Sequence, residues 1–88
     1  MPTISWFFGI AIRMYYRDHP PPHFQAVYNE YEANVSIETG KVIEGRLPKA
    51  AMNLVEQWTL ARQSQLRENW RRARASEPLE RIAGLDND

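Results

Sequence analysis

The densest run of chemically capable side chains is Arg17-Asp18-His19-Pro20-Pro21-Pro22-His23-Phe24-Gln25. Two imidazoles four residues apart on a proline-stiffened segment could hold a divalent metal, because His is the commonest metal ligand and a rigid connector lowers the ordering cost. Two ligands fall short of the three or four that a zinc site needs, so Asp18, Glu32 or Glu38 would have to complete the shell. In the plainer reading the prolines set the path of a loop, His19 caps or is solvated, and His23 hydrogen-bonds across a hairpin to Ser36. An imidazole beside a carboxylate can also serve as a general acid or base. No nucleophile goes with it: Ser5, Ser36, Ser64 and Ser76 lack the glycine-flanked elbow, and four scattered glycines build no phosphate-cradling loop. Asp18, His19 and His23 are therefore the catalytic candidates of an enzymatic reading that is weaker than a non-enzymatic one. No metal or cofactor is expected.

A second candidate surface is basic. Arg62, Arg67, Arg71, Arg72 and Arg74 face only Glu68 within the same stretch. Arginines near a helix C-terminus complement its dipole, so the structural explanation is a solvated face. The functional alternatives are a nucleic-acid patch with Trp70 interleaved, or contact with an acidic partner protein. A third surface is the polar side of a hairpin, described below. The adjacent Trp6, Phe7 and Phe8 cannot all face one way on a strand, so at least one must cover a loop, a neighbouring strand or another chain.

These residues need elements to position them, and the chain divides by period. Thr3 to Phe7 reads as a strand and Phe8-Gly9 as a turn. Alternation from Ile10 points Ile10, Ile12, Met14 and Tyr16 one way, and Ala11, Arg13, Tyr15 and Arg17 the other. Three prolines then leave the sheet and favour polyproline II geometry. Phe24 to Tyr28 and Tyr31 to Glu38 form a hairpin about Asn29-Glu30, which sets Tyr28 opposite Tyr31, Ala26 opposite Ala33 and Phe24 opposite Val35 on an apolar face with Ile37. The other face collects His23, Gln25, Val27, Glu32, Asn34, Ser36 and Glu38, of which His23, Gln25, Asn34 and Ser36 are the binding candidates. Thr39-Gly40 turns into a strand over Lys41 to Glu44, with either Val42 or Ile43 inward.

Gly45-Arg46-Leu47-Pro48 marks the change to helix. Ala51, Leu54, Val55, Trp58, Leu66, Trp70 and Ala73 form one apolar stripe, interrupted by Arg62, so one long helix is expected from about Pro48 to about Ala75, stopped by Glu77-Pro78. Leu79, Ile82 and Leu85 could pack back, while Asp86-Asn87-Asp88 should fray. The expectation is an α+β fold in a single domain over residues 1–88: a small antiparallel sheet of four to five strands within 3–44, one long C-terminal helix over 48–75 and a tail over 76–88.

Composition bounds the rest. The chain has 88 residues, no cysteine, and 11 basic against 11 acidic residues. Disulfides, thiolate metal sites and a Cys nucleophile are excluded, and there is no global field to steer nucleic acid or lipid. So small a chain leaves little room for a deep pocket. The N-terminal apolar run lacks a basic leader and a cleavage site and meets Arg13 too early to span a membrane, so a cytoplasmic, unprocessed protein is expected.

The opening Pro-Thr-Ile-Ser-x-Phe-Phe-Gly-Ile-x-Ile-x-Met-Tyr-Tyr, the Asp-His-x-Pro-Pro-His-Phe segment, Ile-Glu-Thr-Gly, Val-Ile-Glu-Gly-x-Leu-Pro and a late Glu-Asn-Trp resemble the small bacterial proteins of domain-of-unknown-function family 4160. The resemblance runs from Pro2 to about Leu85. It implies a small bacterial or phage-borne protein, often encoded beside another small protein and associated with toxin–antitoxin-like pairs. Family members commonly carry His-x-Pro-Pro-His-Phe-His-Val. Asp18, His19, Pro21, Pro22, His23 and Phe24 match that pattern, but Gln25 stands in place of the last His and Ala26 in place of Val, which weakens any metal site. The function expected is a non-enzymatic protein-interaction module in such a toxin–antitoxin-like or regulatory pair, binding a small protein partner or itself. The alternatives are a nucleic-acid binder using the Arg-rich helix, and a metal-assisted hydrolase or nuclease centred on the His-Pro-Pro-Pro-His segment.

Overall fold

The structure, a computed structural model, describes residues 2–86. Five strands, β1 (Thr3–Phe7), β2 (Ile10–Arg13), β3 (His23–Tyr28), β4 (Tyr31–Ser36) and β5 (Val42–Gly45), precede two helices, α1 (Lys49–Ala61) and α2 (Gln63–Arg74). The strands form one antiparallel meander in sequence order. The α+β class and the sheet agree with the sequence expectation. The central hairpin has the register that its two-residue turn dictates, with Phe24 opposite Val35, Ala26 opposite Ala33 and Tyr28 opposite Tyr31. Asn29 takes the left-handed conformation that the turn needs, at φ 53°.

Alternation along each strand sends Ile10, Ile12, Phe24, Ala26, Ala33 and Val35 to one face, where the helices cover them. Trp58 is the centrepiece of that core. Its ring lies 5.1 Å from Phe7 and meets Phe24 edge-on at 5.6 Å, and its indole N–H donates to the Ala83 carbonyl at 2.8 Å. A buried Trp thus fills the core while its polar atom is satisfied by the tail. The tail itself is ordered onto the domain. Ile82 is buried, its N–H donates to the Ile4 carbonyl at 2.8 Å, and Asn69, also buried, exchanges two side-chain hydrogen bonds with the main chain of Glu80.

Several details depart from the sequence reading. The single long helix is two helices, broken at Arg62 (φ −124°, ψ 21°). The cause lies in side-chain hydrogen bonding. Thr59 Oγ1 donates back to the Val55 carbonyl at 2.7 Å, a bond that bends helices, and the Arg62 guanidinium reaches out to the carbonyls of Ala83 and Gly84. The residue that interrupts the apolar stripe is the joint. Helix α2 closes before Glu77-Pro78, through left-handed Ser76 (φ 59°) and a bond from the Glu77 N–H to the Arg72 carbonyl. Strand β2 stops at Arg13, so Tyr16 is 42% exposed instead of facing the core. The Pro20–Pro21 peptide is cis. Val42 turns toward the core and Ile43 is exposed, with an irregularity opposite Asn34 and Val35. Asp86 is tied down, its carboxylate accepting from the Phe8 N–H at 3.3 Å, whereas Asn87 and Asp88 lie outside the described residues. Among the described residues no helix is long and apolar enough to cross a membrane.

Candidate functional site

The connector after β2 is anchored before it reaches the histidines. A helix C-terminus exposes unpaired carbonyls, and Arg17 uses that of α2. In left-handed conformation (φ 57°), it donates its N–H to the Ala73 carbonyl at 3.1 Å and its Nε to Ser76 Oγ at 2.9 Å. Asp18 then does two things: Oδ1 accepts from the His19 N–H at 2.8 Å, and Oδ2 lies 3.0 Å from His23 Nε2.

His23 is held on both sides, since its Nδ1 lies 2.7 Å from the Pro21 carbonyl oxygen. A carboxylate and a carbonyl therefore face its two nitrogens. The ring packs 5.4 Å from Trp70 on α2. The expected bond to Ser36 is absent: the two residues are register partners, but Ser36 Oγ accepts from the main-chain N–H groups of Glu38 and Thr39. His19 is exposed and shares with Asp18, His23 and Asn34 a shallow hollow of about 240 Å³. Glu32 bonds Gln25 and Glu38 pairs with Arg67, and among the described residues no three His, Asp or Glu side chains converge as metal ligands would.

The polar side of the hairpin is the centre of a wider surface. Register places Arg13, Gln25, Asn34 and Glu44 in one row across β2 to β5, on the face away from the helices. Tyr15 donates to Gln25 Oε1 at 3.0 Å, Gln25 Nε2 donates to Glu32 at 3.3 Å, and Asn34 donates to Glu44 at 3.1 Å. The next row runs through Trp6, buried Ala11 and half-buried Val27 to exposed Glu32, apolar except at that last member. Trp6 is 59% exposed there, and Phe8 in the adjoining turn is 53% exposed. Of the three adjacent aromatics only Phe7 enters the core.

The arginines are engaged. Arg67 makes a two-pronged contact with Glu38, at 2.8 and 3.2 Å. Arg71 bonds Glu68 and Glu77, Arg72 bonds Glu68 and the Pro78 carbonyl with Glu80 nearby, and Arg74 lies over the Trp70 ring. The hydrogen bonds from Arg71, then Arg72, hold the Glu68 carboxyl down to about 2, and Arg67 likewise lowers Glu38. The same bonds raise Arg67, Arg71 and Arg72 above their ordinary values. Glu68 of the same helix, Glu38 from the turn after β4, and Glu77 and Glu80 of the tail thus answer Arg67, Arg71 and Arg72.

One feature contradicts the expectation of surfaces alone. An apolar cleft of about 440 Å³ lies between β5 and α1, lined by Val35, Val42, Leu47, Met52 and Val55, with Lys41, Lys49 and Glu56 on its rim. Its sequence signal was faint: Leu47 and Met52 fall beside the helix stripe and not on it.

A one-sided α+β domain with a bare sheet face and an edge cleft is the class that this geometry defines. The family model described as Domain of unknown function (DUF4160) matches residues 9–71, from the β1–β2 turn through most of α2, and the chain belongs to that family. No curated protein and no solved structure matches the chain.

Proposed function

We propose that this chain is a non-enzymatic protein-interaction module, one member of a bacterial toxin–antitoxin-like or regulatory pair that works in the cytoplasm. The observation that carries the reading is the bare sheet face. A five-stranded sheet clothed by helices on one side only leaves exposed Trp6 and half-buried Val27 beside the Arg13–Gln25–Asn34–Glu44 row, an apolar patch next to fixed hydrogen-bonding groups. Interfaces have that make-up, an aromatic anchor bordered by polar groups whose positions are already set.

The enzymatic alternative draws less support because both nitrogens of His23 face protein oxygens. The nucleic-acid alternative draws less because Arg67, Arg71 and Arg72 already hold carboxylates, which a phosphate would have to displace. Co-expression with the product of the adjacent gene, followed by size-exclusion chromatography, tests the proposal. A stable complex that Trp6→Ser weakens is expected. Two independent monomer peaks across micromolar concentrations would overturn it.

A further inference from the structure

The two edges of the sheet differ. The β1 edge is closed by the tail, through the bond from the Ile82 N–H to the Ile4 carbonyl. β5 has β4 on one side and no strand on the other. The Arg46 N–H donates inward to the Glu32 carbonyl at 3.0 Å. By the alternation of an antiparallel ladder Glu44 also faces β4 and Gly45 turns its main-chain groups outward; beyond the irregularity at Ile43, the Lys41 carbonyl accepts from the Ser36 N–H at 2.9 Å, so Val42 turns outward as well. Ile43 is 49% exposed. Directly beside this unpaired edge runs the apolar cleft between β5 and α1.

An open edge flanked by a groove and a helix is the arrangement in which an extended segment adds a strand: backbone bonds give affinity, and alternate side chains fill the groove. The charge on the rim narrows the occupant. Lys41 stands just before β5 and Lys49 at the start of α1, both on the cleft rim, whereas Arg46 lies over the Tyr31 ring and lines a separate hollow. The one carboxylate on the cleft rim, Glu56, is held by Lys41 at 3.0 Å, and Lys49 has no ion pair among the described residues. The first turn of α1 carries no acidic residue, so its dipole adds to the positive end. Glu44 is bonded to Asn34 on the opposite face.

We infer that the β5 edge and the β5–α1 cleft bind an extended segment of a partner protein, with apolar residues at alternate positions and acidic residues at its ends. This rests on the interaction-module reading and gives it a site and a ligand chemistry. Apolar side chains of the added strand enter beside Val42, Met52 and Val55. Its flanking carboxylates meet Lys49 at one end and, at the other, Lys41, where they displace Glu56.

The probe is the peptide acetyl-Asp-Glu-Val-Thr-Leu-Thr-Val-Asp-Glu-amide, titrated into the full chain by calorimetry and by amide NMR, beside a counterpart with lysines for its acidic residues. Saturable binding is expected for the acidic peptide only, with the amides of Val42 and Gly45 protected from hydrogen exchange by about tenfold or more in the complex. Met52→Glu places a charge in the cleft, and Ile43→Pro reshapes the irregular position of an edge that tolerates proline; each should weaken binding about tenfold or more. Lys49→Glu should weaken it by about three- to fivefold. Circular dichroism confirms that each variant is folded. No saturable binding up to millimolar peptide, equal binding of the lysine counterpart, or unchanged binding in both Met52→Glu and Ile43→Pro would overturn the assignment. So would self-association of the chain that Ile43→Pro abolishes, since the edge would then pair with a second copy. If the peptide fails while a complex with the adjacent gene's product forms and survives Met52→Glu, the cleft assignment alone falls. If that complex is absent as well, the module reading falls with it.

Discussion

The two faces of the sheet carry the same strands and opposite chemistry. On the helix side Phe7, Ile12, Phe24 and Val35 are buried in the Trp58 core; on the other side no helix among the described residues covers Trp6, Arg13, Gln25 and Asn34. Because strand residues alternate, each position belongs wholly to one role. Stability is concentrated on one side, so the other can vary without unfolding the domain. The edges repeat the contrast: β1 is closed by the tail and β5 is left open.

The largest effect expected on the covered side is that of Trp58→Ala. It removes the ring that Phe7 and Phe24 pack on and leaves the Ala83 carbonyl with Arg62 Nε as its side-chain donor, and should cost about 3–5 kcal/mol by urea unfolding. A loss under about 1 kcal/mol would mean that stability is not concentrated there. Next is Gly45→Ala at the open edge. Gly45 has φ +80°, and an added Cβ would run into the Glu32 carbonyl, so the change should cost about 2–3 kcal/mol and loosen β5 from β4. Amide exchange should accelerate at β5 before the central strands. Asn69→Ala should cost about 1–2 kcal/mol by releasing the tail, and limited proteolysis should then cut near Glu80. If the tail stays protected, Ile82 and the Trp58 indole suffice to close the β1 edge.

A smaller effect concerns pH. The Glu68 carboxyl is held at about 2 in the folded chain, below its unfolded value near 4.5, so its pairing with Arg71 and Arg72 stabilises fully above about pH 4.5 and is lost as pH falls toward 2. Glu68 is on the surface, where solvent and salt screen such pairs. Thermal unfolding between pH 5 and pH 2 should therefore fall slightly less steeply in Glu68→Gln. An unchanged slope would assign the acid sensitivity to other carboxylates. Smallest of all for stability is Trp6→Ala, which should stay within about 0.5 kcal/mol while weakening the partner complex. A large loss of stability would erase the distinction between the two faces.

Much of the fold was legible in particular residues. A two-residue Asn29-Glu30 turn leaves one register for β3 and β4, and that register sorts Phe24 and Val35 from Gln25 and Asn34 without any tertiary information. The Asp18–His23 segment was visible as a candidate, but its internal geometry was not. The bond partner of His23 depended on how Arg17 docks the connector on the end of α2, 56 residues on at Ala73. The break at Arg62 hid inside a nearly continuous stripe, because an interruption in pattern does not say whether a side chain bends outward into water or reaches a carbonyl of the tail. The arginine cluster looked unpaired for the same reason: Glu38 answers Arg67 from a distant part of the chain.

What the sequence alone determined about this protein is what depends on neighbours in the chain: the alternation of the strands, the hairpin register, the Trp58 stripe and the absence of cysteine chemistry. Only the tertiary structure decided which sheet edge the tail closes, that Glu38 pairs with Arg67, that His23 has both nitrogens facing protein oxygens, and that an apolar cleft opens beside β5. The physical reason is range. Periodicity and turn chemistry are set by covalent geometry over a few residues, whereas charge pairing and the space between elements arise from groups that meet only after the whole chain has packed.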